Sequence, residues 1–152
     1  MPNNSYAWLR SAHTIAIVGC SPKPQRDSYD VARYLQAAGY RILPVNPVAA
    51  GSGQAHILGE RCYASLAEAT QLLDEASQSL GLGQRIDIVV IFRNSADVPP
   101  VVNEAIAVHA GAVWMQLGIA HPHAAALAVA AGLHVVQNRC IKIEHRQLVA
   151  PD

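Results

Sequence analysis

The chain has 152 residues, 51% of them apolar and only 14% charged, with a formal net charge of zero. That length and apolar share fit one compact domain over 1–152 with a real core and exclude a disordered chain. The neutral balance, the lack of a basic run and the 5% aromatic content exclude the electrostatic footprint of a nucleic-acid binder, while the sparse charge is compatible with a homo-oligomer that covers part of the surface.

Residues 1–13 read as a lead-in with a short helix, without the apolar stretch behind a basic start that marks a secretory signal. Thr14–Val18 is the first strand, ended by Gly19. A helix over 28–38 follows, carrying Val31, Tyr34 and Leu35 at helical spacing and closed by Gly39. Arg41–Val45 is the second strand. Ser65 and Glu68 form a capping-box pattern that opens the next helix, and 71–84 reads as an insertion, a helix extension running into a glycine-rich loop. The third strand, 86–92, is nearly all apolar, as befits a strand covered on both faces. A helix starting at Ser95 or Asp97 holds Pro99 and Pro100 in its first turn and presents Val101, Val102, Ala105 and Ile106. The fourth strand (112–116), a helix over 122–131 closed by Gly132, the fifth strand (133–137) and a short helix over 140–146 complete the chain. Gln116, Gly118, His121 and Pro122 interrupt its most apolar region, which therefore does not read as a membrane span.

Alternating strands and helices predict a three-layer, doubly wound Rossmann-like α/β fold with a five-stranded parallel sheet. Right-handed crossovers suggest the order 3-2-1-4-5, with strands one and four parting at the switch point. Ligands of such sheets sit beyond the carboxyl ends of the strands. The segments there read "GCSPKP", "NP", "RNS", "QLG" and "NRC".

Gly19 permits a sharp turn, and the amides of Cys20, Ser21 and Lys23 are candidates to face an anion before the next helix, with Lys23 and Arg26 supplying positive charge. Pro22 and Pro24 stiffen the loop. An equally good account is a rigid turn with Asp27 or Ser28 as a helix cap. The glycine pattern of dinucleotide folds and the P-loop pattern are both absent, and Asn46 and Pro47 stand where a ribose-binding acid would be. Arg93 and Ser95 end the third strand as a candidate phosphate clamp and cap or ligand contact. Gly118, after Gln116 and Leu117, permits close approach of a ligand.

No catalytic set emerges. His121 and His123 lack a third metal ligand, so no metal site is expected. Cys20, Cys62 and Cys140 are an odd number without a close pair, as in a reduced cytoplasmic protein. Cys20, near a helix start and Lys23, is a candidate for a lowered pKa, but no base partners it and packed thiols are the better reading.

The segments "IAIVGCSPKPQRDSY", "GYRILPVNP", "ILGERCYASL", "DIVVIFRNSADVPPVV", "AVWMQLGI" and "AGLHVVQNRCIKIEH" together resemble the small stand-alone CoA-binding proteins with a Rossmann-like fold, relatives of the CoA-binding domain of succinyl-CoA synthetase. The resemblance implies coenzyme A or an acyl-CoA across the crevice. Gly19, Cys20, Ser21, Lys23, Pro24 and Arg26 would lie along the diphosphate; Val45, Asn46 and Pro47, with Phe92, Arg93 and Ser95, on the adenosine side. Gln116, Leu117 and Gly118 would flank the pantetheine arm, and Asn138, Arg139 and Cys140 its far end. In the synthetases a lysine shortly after the second strand helps bind CoA, whereas Val48, Ala49 and Ala50 stand here. The synthetases' phosphorylated histidine has no matching segment either, so ligase activity is not implied. The function expected is non-catalytic CoA binding; the alternatives are an NAD(P)-dependent oxidoreductase, a CoA-dependent transferase, or an interaction protein that has lost its ligand.

Overall fold

A computed structural model describes residues 6–52, 56–80 and 85–150, with 74–80 as backbone only. Seven strands and seven helices are described: α1 (Ala7–Ser11), β1 (Thr14–Val18), α2 (Asp27–Ala37), β2 (Arg41–Val45), α3 (Pro47–Ala50), β3 (His56–Ile57), β4 (Glu60–Arg61), α4 (Leu66–Leu80), β5 (Ile88–Ile91), α5 (Val98–Ala107), β6 (Ala112–Met115), α6 (Pro122–Ala130), β7 (His134–Val136) and α7 (Ile141–Val149), with a 3-10 turn over Ser95–Asp97 before α5. Of the segment read as an insertion, α4 carries the chain to Leu80, and 81–84 lie outside the described residues.

Every residue of β1, β5 and β6 is buried, because helices cover both faces of the sheet. Alternate side chains serve the two layers. Ala16, Val18, Val89, Ile91, Val113 and Met115 pack toward α4, α5 and α6, against residues such as Leu66, Val102 and Ala128. Ile15, Ile17, Ile88, Val90 and Trp114 pack toward α1, α2 and α7, against Leu9, Leu35 and Ile141. The polar edge of Trp114 is satisfied as well, since its Nε1 donates to the Arg139 carbonyl at 2.8 Å.

The five long strands are parallel, as expected, but their order corrects the sequence reading. It is β2-β1-β5-β6-β7, so the third long strand lies against the first rather than outside the second. The outer edge of β2 is already taken: Tyr63 bridges Val45, its amide donates to the Pro44 carbonyl at 2.9 Å, and its own carbonyl accepts from Asn46 N at 2.9 Å. The chain must therefore return across β1 to place β5. The switch point falls between β1 and β5, where α2 leaves toward one face and α5 toward the other. Strand six is one position further out.

Local signals predict most element ends. Gly39 follows α2 at φ +105°, and the Ser65 hydroxyl accepts from Glu68 N at 3.1 Å. The reciprocal half of that capping box is shifted by one residue: Glu68 Oε2 accepts from Ala64 N at 3.4 Å. The amide of Leu66 is instead met by Glu104 Oε1 at 2.6 Å, which ties α4 to α5. His121, set aside as a metal ligand in the sequence, is the N-cap of α6 and accepts from Ala124 N at 3.1 Å.

Candidate functional site

The five loops at the carboxyl ends of the strands are laced together by hydrogen bonds. Gly19 turns the chain at φ +85°, its amide donating to the Val45 carbonyl at 2.8 Å, while Asn46 Nδ2 donates to the Cys20 carbonyl at 2.9 Å. Asn46 also accepts from Val48 N and Ala49 N, capping α3, and Pro47 takes the first helical position, where a proline loses nothing. Phe92 N donates to the Val18 carbonyl at 2.8 Å and Ser95 Oγ accepts from Ala120 N at 3.1 Å, joining the β5 loop to β1 on one side and to the loop after β6 on the other. Gln116, buried, accepts from Ile141 N at 2.9 Å, and Asn138 accepts from Gly118 N at 2.7 Å.

Between the β1 and β5 loops and the start of α2 lies a cavity of about 420 Å3 lined by Gly19, Ser21, Lys23, Arg26, Asp27, Ser28 and Phe92. Five residues read from the sequence as ligand contacts meet there: Gly19, Ser21, Lys23, Arg26 and Phe92. Cys20, Pro24 and Arg93 belong to the same loops without lining it. Val45, Asn46 and Pro47 lie one strand away on the β2 side. Ser95, Gln116, Leu117 and Gly118 lie toward β6, and Asn138, Arg139 and Cys140 beyond β7. Leu117 is 67% exposed, so its side chain stands open at the end of β6.

Two details of the anion loop differ from the sequence reading, and a third, the packed state of Cys20, agrees with it. The amides of Cys20, Ser21 and Lys23 are engaged within the protein, by the Val45 carbonyl, Ser28 Oγ and Ser21 Oγ respectively. Neither Asp27 nor Ser28 caps α2: its N-cap is Arg26, and no side chain meets the first-turn amides. Cys20 is fully buried, and burial, followed by the nearby Cys62, pushes its thiol up to about 12, the reverse of activation. Burial likewise raises Cys62.

What remains for a ligand is therefore the open first turn of α2, the Ser21 hydroxyl, and the cations of Lys23 and Arg26, both exposed and, among the described residues, without an ion pair. Asp27 on the rim opposes them with one carboxylate. Open amides, a hydroxyl and two free cations around one hollow suit a diphosphate, so the residues fit the anionic part of CoA. Two larger hollows, of about 570 and 640 Å3, lie at the opposite end of the sheet, against His134 and His145 respectively. Neither touches a loop at the carboxyl end of a strand. Among the described residues no group of His, Cys, Asp and Glu could hold a metal ion, and no helix is long and apolar enough to cross a membrane.

The sequence pattern described as a CoA binding domain matches residues 13–146, the whole sheet and every loop of the crevice. The chain belongs to this family. It is 33% identical over 137 residues to the uncharacterized protein YneT of Bacillus subtilis, a match covering 90% of this chain and 88% of that one. A solved structure from Thermus thermophilus, cell-free ID.343, is 35% identical with a TM-score of 0.79, over 97% of this chain and 98% of that chain. An acetyl-coenzyme A synthetase of Ca. Korarchaeum cryptofilum shares the fold at 18% identity and a TM-score of 0.64, over 91% of this chain but 28% of the much longer synthetase.

Proposed function

We propose that this protein binds coenzyme A or an acyl-CoA in the crevice at the carboxyl ends of the strands without transforming it, as a carrier, sensor or partner subunit in the cytoplasm. The observation that carries the reading is the cavity at the β1/β5 switch point, where the free cations Lys23 and Arg26 and the uncapped start of α2 face the same hollow. The diphosphate lies there and the adenosine runs toward Asn46 and Pro47; because β5 lies across β1 from β2, Phe92, Arg93 and Ser95 are assigned to the pantetheine arm, running toward Gln116, Leu117 and Gly118, instead of to the adenosine side as the sequence reading had them. Asn138, Arg139 and Cys140 stand nearest its thiol end.

The reading as binding without catalysis is supported by the side chains along the crevice. The two buried thiols are held protonated, and Gln116, the buried polar side chain at the end of β6, is committed to Ile141 N. An oxidoreductase reading is disfavoured by the end of β2, where Asn46 is occupied by three internal bonds instead of offering an acid to ribose.

Thermal unfolding with CoA, acetyl-CoA, NAD, NADP and ATP tests the proposal. CoA at about one hundred times its dissociation constant adds roughly 2.7 kcal/mol, which for a chain of this size raises Tm by about 5–11 °C. A shift with NAD alone, and none with CoA, overturns the reading; no shift with any of the five, together with a stable oligomer by light scattering, favours an interaction protein that has kept only the fold.

A further inference from the structure

At the adenosine end, the devices that sheets of this type use for ribose are missing. No carboxylate ends β2, and Asn46 is spent on Cys20, Val48 and Ala49. Just beyond Asn46 a separate hollow of about 490 Å3 opens between α3, the β3–β4 hairpin and the start of α4, with Pro47, His56, Arg61, Cys62 and Glu68 in its lining. The topology fixes the hairpin there: Tyr63 is bonded to Pro44 and Asn46 on the outer edge of β2, and Cys62 Sγ lies 3.6 Å from the Asn46 carbonyl. Arg61 and His56, which pair across the hairpin, are thus set beside Pro47.

Arg61 is held without being used up. Its guanidinium carbon lies 5.8 Å from the centroid of the Tyr63 ring, and its ion pair with Glu68 is long, 3.9 Å, with the side chain 59% exposed. Such a pair is weak, so an incoming dianion that accepts two parallel hydrogen bonds from the guanidinium displaces it. We propose that Arg61, with His56 beside it, forms a subsite for the phosphomonoester on the ribose of the bound nucleotide, which in CoA is the 3′-phosphate. The assignment rests on the reading of the crevice as a CoA site, and it supplies the positive charge that the segment Val48, Ala49 and Ala50 lacks. Glu68 limits the preference: it repels a dianion, and it keeps Arg61 paired when the ribose carries no phosphate. The 2′-phosphate of NADP offers the same chemistry, so two pairs of ligands are needed to separate the sources.

Calorimetric titration of the wild type, Arg61→Gln and Glu68→Gln with CoA, 3′-dephospho-CoA, NADP and NAD decides the matter. The expected result is a wild-type preference for CoA over dephospho-CoA of about tenfold, reduced to within about twofold in Arg61→Gln by loss of CoA affinity alone and widened in Glu68→Gln. Unchanged dephospho-CoA affinity in Arg61→Gln shows that the fold is intact. A preference for NADP over NAD with no CoA binding keeps the subsite and overturns the CoA reading. Equal wild-type affinity for CoA and dephospho-CoA, or a preference that survives in Arg61→Gln, overturns the subsite and leaves the CoA reading standing. No binding of any of the four overturns both.

Discussion

Gly19→Ala should damage the protein in two separable ways, one shared with Gly39→Ala and one not. Both glycines hold positive φ, +85° and +105°, a conformation that costs an L residue about 1–2 kcal/mol. At Gly39 a Cβ meets nothing within 4 Å, so Gly39→Ala should lose only that strain, which lowers Tm by about 2–8 °C. At Gly19 the Cβ would overlap the carbonyl oxygen of Phe92, a backbone atom of the neighbouring β5 loop whose amide is bonded to Val18. No side chain can rotate away, so the β1 and β5 loops must part, adding about 1–3 kcal/mol of overpacking and roughly doubling the loss. The same displacement moves Lys23 and Arg26 relative to Phe92. Thermal unfolding and CoA titration of the two variants should show the larger Tm loss in Gly19→Ala, with CoA affinity reduced about tenfold or more there and unchanged in Gly39→Ala. Equal losses of Tm, or a Gly19→Ala variant that binds CoA like the wild type, would refute the close approach of the two loops and the placement of the site between them.

Lys23→Ala and Arg26→Ala, at the two cations that line the cavity, should each weaken CoA by about 1–3 kcal/mol, with Tm unchanged and the loss smaller at high salt, as titration at two ionic strengths will show. In the native protein at pH 8 an aromatic disulfide reagent should modify Cys140 quickly and Cys20 and Cys62 only on the timescale of unfolding; fast labelling of Cys20 would contradict its burial and its raised pKa. His145, buried on α7 against the rings of Tyr34 and Tyr40 and bonded to the Tyr34 hydroxyl at 2.8 Å, has its pKa lowered first by burial and then by Arg10. The unfolded chain therefore takes up a proton more readily than the folded one, so this contribution to stability is complete above the ordinary value of 6.5 and is lost as pH falls below it. Unfolding at a series of pH values should show the decline in the wild type and a flatter profile in His145→Gln; parallel profiles would assign the decline to other groups.

The main strands and helices, the parallel sheet and its crevice are legible in the sequence, because those follow from local physics: apolar runs such as Ile88–Ile91 demand cover on both faces, and Gly39 and Ser65 mark where helices stop and start; α3 and the β3–β4 hairpin, two to four residues per element and tied to β2 through Asn46 and Tyr63, were not expected. The sequence by itself also determined the family, whose motifs sit on successive strand ends. The strand order depended on which edge of β2 remained open. One signal was present, since Pro44, lacking an N–H, is tolerated at a sheet's margin, but only the folded chain shows Tyr63 occupying that edge. The state of the anion-loop amides was likewise beyond local reading, and for Cys20 the lack of a partner base favoured a packed thiol without showing what packs it. A thiol beside a helix start and a lysine is a candidate for activation, yet burial in the layer of α1, α2 and α7, with Cys62 nearby, removes it from water, while the Val45 carbonyl and the Ser28 and Ser21 hydroxyls engage the neighbouring amides. Burial and hydrogen-bond competition are sums over neighbours distant in the chain, and only tertiary structure specifies those neighbours.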